Sequence, residues 1–322
     1  MILRKIVQPI KQIDIIIATC NGEKFIKEQI LSLLRMEHFE KYVRKVIVCD
    51  DKSEDETISI ITSLLEKDKL EIILNSENKR LGPVKNFARG IEISAAEFVM
   101  LCDQDDIWDK DKLKIYVDSA NEFNRDEPIL IFSDLTIVDS NLNTIAESFY
   151  KYQNLNPDKA NDIRTLLLEN IVPGCTMMFN RKLIEIALPL PDSCRMHDWW
   201  LLLCCCVHGK VIPINKQLSK YRQHGNNQVG AQKLKLSKEI QQVFKIFRTS
   251  RINFKKTIQQ AIDFEKEHSR YMTYNNRKWI NKVVSCYYNK SLLKRLSGIR
   301  GLNIRKSTFI KTVLTYCFLI MG

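Results

Sequence analysis

The sequence has no Cys-x-x-Cys pair and no cysteine–histidine cluster at zinc spacing, despite ten cysteines and five histidines, which excludes the structural zinc modules. It has no apolar run long enough to cross a bilayer: residues 312–321 are too short to span one alone, and Met1–Gln12 carries charges but no signal-peptide core. It has no low-complexity tract and no internal repeat, which excludes collagen-like and disordered chains. What remains is an ordinary folded composition, 45% apolar and 27% charged over 322 residues, enough for one large domain and an appendage. Cys204, Cys205 and Cys206 are consecutive and read as small buried apolar residues in a reducing cytoplasm.

Charge divides the chain. Residues 231–322 hold 20 Lys/Arg against 4 Asp/Glu, whereas the first 230 hold 30 against 34. A mildly acidic front and a strongly basic back imply two different jobs. No recognisable reading element accompanies the basic residues, so nucleic acid is not an expected partner.

Short apolar runs alternate with helical patterns over the first hundred residues. Strands are expected at Ile13–Ala18, Lys45–Cys49, Glu71–Leu74 and Phe98–Cys102, with helices at about Glu23–Met36, Asp55–Lys67 and Lys85–Ile93. This pattern predicts an α/β fold, Rossmann-like with a mainly parallel sheet. Further on, a helix is expected from about Asp109 to Phe123 and strands at Ile129–Phe132, Thr136–Val138 and Cys175–Phe179. A loop or insertion is expected from Ser140 to Asp162, a helix at Trp199–Val207 and an edge strand at Lys210–Ile214. Polarity, charge and periodicity shift together near Gly230, which divides the chain into a domain at 1–230 and a basic helical region at 231–322. The first domain divides again into a nucleotide-binding half at about 12–106 and an acceptor-binding half at about 107–230.

Ligands of parallel α/β sheets bind at the carboxyl ends of the strands. Three strands end in polar or acidic groups: Thr19-Cys20-Asn21-Gly22, Asp50-Asp51 and Asp103-Gln104-Asp105-Asp106. For Ser53 and Asp55 a helix-capping or turn role is the better reading. Packed carboxylates stay ionised only if a cation or exposure offsets their repulsion, and a hard divalent ion bridging to a diphosphate does so. Asp103-x-Asp105 is therefore a candidate metal–diphosphate site.

The run IDIIIATCNGEKFI, then VIVCDDKSEDET, NKRLGPVKNF and FVMLCDQDDIW, resembles the inverting family 2 glycosyltransferases of GT-A fold. PGCTMMF, MHDWW and YRQHGNN resemble the rhamnosyltransferase branch of that family. The resemblance covers about Ile13–Val229. It implies that Thr19, Asn21 and Asp50, with Asp51 behind it, hold the nucleobase and ribose, with Lys79 or Arg80 beside the base. Asp103 then contacts the ribose or the metal shell, Asp105 ligates Mg²⁺ or Mn²⁺, and Asp106 orients the loop and caps the next helix. Asp198 matches the family's carboxylate base, although an N-cap role is open to it as well. His197 stands where many relatives carry Glu. Gly174, His197, Trp199 and Trp200 form the implied acceptor side, with at most one of the adjacent tryptophans facing the site. Arg222 and His224 fit a diphosphate clamp and a metal ligand, with Gly225–Asn227 as a closing loop. The QxxRW motif of processive relatives is absent.

The resemblance implies transfer of a single sugar, L-rhamnose from dTDP-L-rhamnose, to a growing bacterial surface glycan on a lipid carrier. Alternatives are a UDP-hexose donor, a sugar-nucleotidyltransferase (whose usual Gly-rich phosphate loop is missing) and a non-catalytic glycan-binding subunit. The basic tail carries apolar residues at helical spacing, including Phe244, Phe247, Ile252, Phe254, Leu292, Leu293, Leu296 and Ile299. It is expected to lie on anionic lipid, placing the protein at the cytoplasmic face of the plasma membrane. The alternative is packing on the catalytic domain or on a second subunit of a homodimer.

Overall fold

The computed structural model describes residues 12–224 and 240–322. The expected boundary at Gly230 and the closing loop Gly225–Asn227 lie outside the described residues.

Nine strands form one sheet: β1 (Ile13–Thr19), β2 (Val43–Asp50), β3 (Leu70–Leu74), β4 (Phe98–Asp103), β5 (Ile107–Trp108), β6 (Ile129–Val138), β7 (Thr144–Ala146), β8 (Met177–Asn180) and β9 (Lys210–Arg222). Their order is β3-β2-β1-β4-β8-β6-β9-β5, with β7 on β6. From β3 to β4 the sheet is parallel; β8 then enters antiparallel between β4 and β6, and β9 is again parallel to β6. The sheet is thus a mixed one, parallel where the first half of the chain builds it.

β1 is apolar almost throughout because both its faces are covered. Ile13, Ile15 and Ile17 pack with Ile26, Ile30 and Leu33 of the helix Glu23–Leu34. Ile16 packs with Phe87 and Ile91 of the helix Pro83–Ile93 on the opposite face. That second helix starts where Gly82 takes φ +77° and Pro83 occupies the first helical position. Its close approach depends on Gly90, where a Cβ would stand 2.4 Å from Ile16 Cγ2 and 2.9 Å from Cys49 Sγ. Gly90→Ala is therefore expected to cost about 1–3 kcal/mol through overpacking, measured as a lower midpoint of denaturant unfolding.

Three expectations for the second half need correction. β6 is one continuous strand, because Asp134 is satisfied inside it by Leu135 N–H (2.8 Å), Phe149 N–H (3.1 Å) and the Gln217 amide (2.9 Å). The stretch Ser140–Asp162 is not loop alone: it holds β7, the helix Phe149–Gln153 capped by Ser148, and a 3₁₀ turn Pro157–Asn161 capped by Asn156. β9 runs for 13 residues and lies inside the sheet, between β6 and β5. Its polar face hid all but its apolar start.

After residue 240 the described chain is helical: Ile240–His268, Tyr274–Tyr288, Leu292–Gly298 and Phe309–Met321. Thr273, Ser291 and Thr308 cap the last three. These helices share an apolar core with the rest of the protein, Phe254, Ile258 and Phe264 joining Trp199, Trp200 and Leu166 in a single cluster. Packing against the sheet-bearing part of the chain is therefore realised. Among the described residues no helix is long and apolar enough to cross a membrane, and all ten cysteines are free.

Candidate active site

The register of the parallel strands brings the three polar strand ends side by side. Thr19 pairs with Asp50, and Ala18 with Asp103. The Thr19 hydroxyl donates to Asp50 Oδ2 (2.8 Å), and Ser53 donates to the same carboxylate through its N–H (2.9 Å) and its hydroxyl (2.5 Å). Asn21 takes the left-handed conformation (φ 51°), tied to the next loop by Asn21 N–H to Ser53 Oγ (2.9 Å) and Glu54 N–H to Asn21 Oδ1 (2.8 Å). Asp55 accepts from Glu23 N–H (3.1 Å) at the start of a helix, the capping role expected of it.

Several candidate residues stand elsewhere than the motifs implied. Asp51 is buried and occupied by the loop before Pro83, accepting from Asn75 Nδ2 (2.7 Å), Leu81 N–H (2.8 Å) and Gly82 N–H (2.8 Å). It shapes the wall that carries the exposed Lys79 and Arg80 instead of facing a nucleotide. Arg222 is only 2% exposed. Its guanidinium donates to the Asp105 carbonyl (2.9 Å), the Ser140 carbonyl (2.7 Å) and Glu28 Oε2 (2.5 Å), and lies 4.5 Å from the Phe25 ring centroid. It fastens the acidic loop, with three of its five guanidinium N–H donors spent on protein oxygens. Asp106 accepts from Arg222 N–H (3.2 Å); it orients the loop but does not cap the helix Lys112–Ala120. Trp200 is 1% exposed, edge-on to Phe264 at 5.4 Å, with its indole N–H on the Ala187 carbonyl. It belongs to the core. Trp199 is also mostly buried, donating to the Leu166 carbonyl (2.6 Å).

Asp198 opens the helix His197–His208. Its carboxylate accepts from Gly174 N–H (3.0 Å), Trp199 N–H (2.6 Å) and the Asn170 side chain. Burial lifts its pKa to about 6, against the lowering effect of those donors. Gly174 eases this approach, since a Cβ there would lie a tight 3.3 Å from Asp198 Cβ and from His197 Nε2; its N–H serves Asp198. His197 stacks on Phe87 at 4.2 Å, with both ring nitrogens buried and unpartnered. Burial pulls its pKa to about 3, so it is neutral at physiological pH.

The acidic loop resists full ionisation. Burial, then Asp105, then Asp198 raise Asp103 to about 7. Burial, then Asp105 and Asp103 hold Asp106 well above the carboxylate range. Beneath them sits Lys112, fully buried, donating to the Cys175 carbonyl (2.8 Å) and Ser219 Oγ (2.8 Å) and lying 3.5 Å from the Trp108 ring centroid. Burial lowers its pKa to about 8, opposed by neighbouring thiols and by Asp106 and Asp103.

Asp103, Asp106 and Cys175 offer ligand atoms within 4.8 Å of one another. The expected trio of Asp103, Asp105 and His224 does not form such a cluster among the described residues; instead His224 Nε2 lies 2.8 Å from Asp105 Oδ2. The donor set fits a hard divalent cation: carboxylates that burial and mutual repulsion leave short of positive charge, one of them with an orphaned buried oxygen, Asp106 Oδ2. Cys175 is a poor ligand for such an ion, because burial keeps its thiol protonated.

Sequence reasoning passed over Gln104, which clamps the first strand end to the acidic loop through Cys20 N–H (2.9 Å) and the Cys20 carbonyl (3.2 Å). It lay inside the DQDD run and could have been found there. Lys112, Asn170 and Glu28 gave no local signal, because their partners are distant in the chain.

The chain matches the family model described as Glycosyl transferase family 2 over residues 14–186. It is 31% identical over 229 residues to dTDP-rhamnosyl transferase RfbG of Shigella flexneri, covering 66% of this chain and 73% of that protein. It is 25% identical over 214 residues to UDP-Glc:alpha-D-GlcNAc-diphosphoundecaprenol beta-1,3-glucosyltransferase WfgD of Escherichia coli, covering 65% and 76%. Among solved structures it resembles S. aureus TarS 1-349 in complex with UDP-GlcNAc, with a TM-score of 0.60 at 17% identity, covering 96% of this chain and 81% of that one.

Proposed function

The chain belongs to glycosyl transferase family 2, and on that premise we propose that it transfers one sugar, with inversion, from a nucleotide diphosphate donor to a bacterial surface glycan on a lipid carrier. The observation that carries the reading is the placement of Asp198. A buried carboxylate at a helix start is held by backbone N–H groups within the field of the acidic loop that ends β4. Residues 1–230 are read as the catalytic domain.

Asp198 acts as the base. Ionised, it takes the proton of the acceptor hydroxyl as that oxygen attacks the anomeric carbon. The nucleoside fits the crevice of Thr19, Asn21 and Asp50, with Lys79 or Arg80 beside the base. Asp103 and Asp106 would hold the Mg²⁺ or Mn²⁺ common in this family, with Asp105 and its partner His224 beside them, and that ion would neutralise the departing diphosphate. Lys112 beneath the loop limits the net negative charge when the site is empty.

The donor is read as dTDP-L-rhamnose, supported by the likeness to RfbG. The likeness to WfgD supports a UDP-hexose as the second reading. The last helices add a membrane contact at the cytoplasmic face: Leu293 (79% exposed) neighbours the exposed Lys290 and Lys294 in the chain, and Phe309 (82% exposed) opens the last helix.

A donor panel of dTDP-rhamnose, UDP-glucose, UDP-galactose, UDP-GlcNAc and GDP-mannose, scored by thermal stabilisation with and without Mn²⁺, tests the assignment. Stabilisation of about 2.7 kcal/mol is expected from the true donor at a hundredfold excess over its Kd, and only with metal. A larger effect from a UDP-sugar would move the donor to the second reading. Equal stabilisation without metal would remove the metal from the scheme.

A further inference from the structure

The C-terminal helices do not close completely over the helix that carries Asp198. Between them lies a cleft of about 340 Å³ lined by Asn170, Arg195, Trp199, Lys306, Lys311 and Phe318, among others. Asn170 and Trp199 connect it to the site: the first hydrogen-bonds Asp198, and the second follows it in the helix.

The charges in this cleft do not balance. Glu169 is held below the ordinary carboxylate range, because Lys306 and Lys311 outweigh the effect of its burial. It pairs with Lys311 (2.9 Å) and also accepts from Ser307 N–H (2.9 Å) and the Ser307 hydroxyl (2.7 Å). Lys306 lies in the field of the same carboxylate, so one anion serves Lys306, Lys311 and Arg195 and two positive charges are in excess. Lys306 donates to the Leu168 carbonyl (2.8 Å), and Arg195 donates to Thr257 Oγ1 (2.5 Å) while its guanidinium lies 5.4 Å from the Trp199 ring centroid. Among the described residues neither has a carboxylate within 4.0 Å. Holding two positive charges in excess, half-buried, costs free energy that a bound anion would recover. Arg suits a phosphate through its planar fork, and Lys as a point charge. Phe254, Leu314 and Phe318 give the same cleft an apolar wall, and Phe318 lies on the helix whose far end exposes Phe309.

We propose that this cleft binds the phosphate or diphosphate ester through which the acceptor is joined to its carrier, with Arg195 and Lys306 as the anion ligands. The proposal rests on the reading of Asp198 as the base that faces the acceptor. The cleft then fixes the reducing end of the acceptor while its hydroxyl reaches Asp198.

The test is calorimetric titration of the full chain, in EDTA so that the donor site is without metal. The probes are farnesyl diphosphate, farnesol, inorganic pyrophosphate and vesicles containing phosphatidylglycerol. Farnesyl diphosphate is expected to bind, pyrophosphate to bind more weakly, and farnesol not to bind. The double variant Arg195→Gln/Lys306→Gln is expected to bind farnesyl diphosphate at least tenfold more weakly, with slow donor hydrolysis and the thermal midpoint retained. Lys306→Arg, which keeps the charge, is expected to bind as the parent does. Unchanged binding in the double variant overturns the site. Dependence of vesicle binding alone on Arg195 and Lys306 assigns the anion to a lipid headgroup and overturns the acceptor assignment. Loss of farnesyl diphosphate binding alongside an active Asp198→Asn enzyme overturns the base reading and leaves the anion site standing.

Discussion

Asp198→Asn is expected to lower turnover roughly 10²- to 10⁴-fold while leaving donor affinity within about twofold. The amide is nearly isosteric, and its oxygen can still accept from Gly174 N–H, so the helix start is kept. What it lacks is a site for the acceptor proton. The same residue sets the pH dependence. With its pKa raised to about 6 by burial, Asp198 is ionised above that value and protonated below it. Turnover at saturating donor and metal should therefore rise as pH increases through about 6 and fall about tenfold per unit beneath it. Asp103, raised to about 7 in the absence of a cation, should contribute to the limb only at low metal. A variant with near-parental turnover, or an acid limb that moves with metal concentration alone, would remove Asp198 from the mechanism.

Arg222→Met should be the most destabilising of the substitutions considered. The apolar part of the side chain is replaced, but the Asp105 and Ser140 carbonyls lose their donor, Glu28 loses its partner, and the contact over Phe25 disappears. Two under-satisfied part-buried acceptors at about 1–3 kcal/mol each and a lost cation–π contact near 1 kcal/mol give roughly 3–7 kcal/mol. Because Glu28 is 53% exposed, its ion pair adds little. In a protein of this size the thermal midpoint should fall by about 10 °C. The acidic loop should loosen as well, so donor KM should rise more than kcat falls. If the loss appeared in kcat alone with stability kept, Arg222 would be acting on the diphosphate directly.

The parallel half was legible because each strand is an apolar run closed by polar residues, so periodicity and function announce each other. The ends of β1, β2 and β4, with Asp50 and Asp103, lie side by side, and Asp103 feels the charge of Asp198. Roles set by distant partners were not legible. The clamp pattern of Arg222 is the same whether its guanidinium meets a phosphate or the Asp105 carbonyl. Adjacent tryptophans cannot show which face their helix buries until Phe264, some sixty residues later, packs on one of them. β9 was truncated because a strand with one polar face loses its apolar signature after the first few residues.

The core shared by Trp200 and Phe264 has a mechanical consequence. Phe318 stacks near Phe254, Phe254 lies on the helix that bears Phe264, and Phe264 meets the helix that bears Asp198. A surface that seizes Phe309 is therefore linked through packed side chains to Asp198, and with Asp198 as the base it would set the height of that carboxylate above the surface. Such a protein would measure its acceptor, taking those whose free hydroxyl stands at that height and passing over shorter and longer chains.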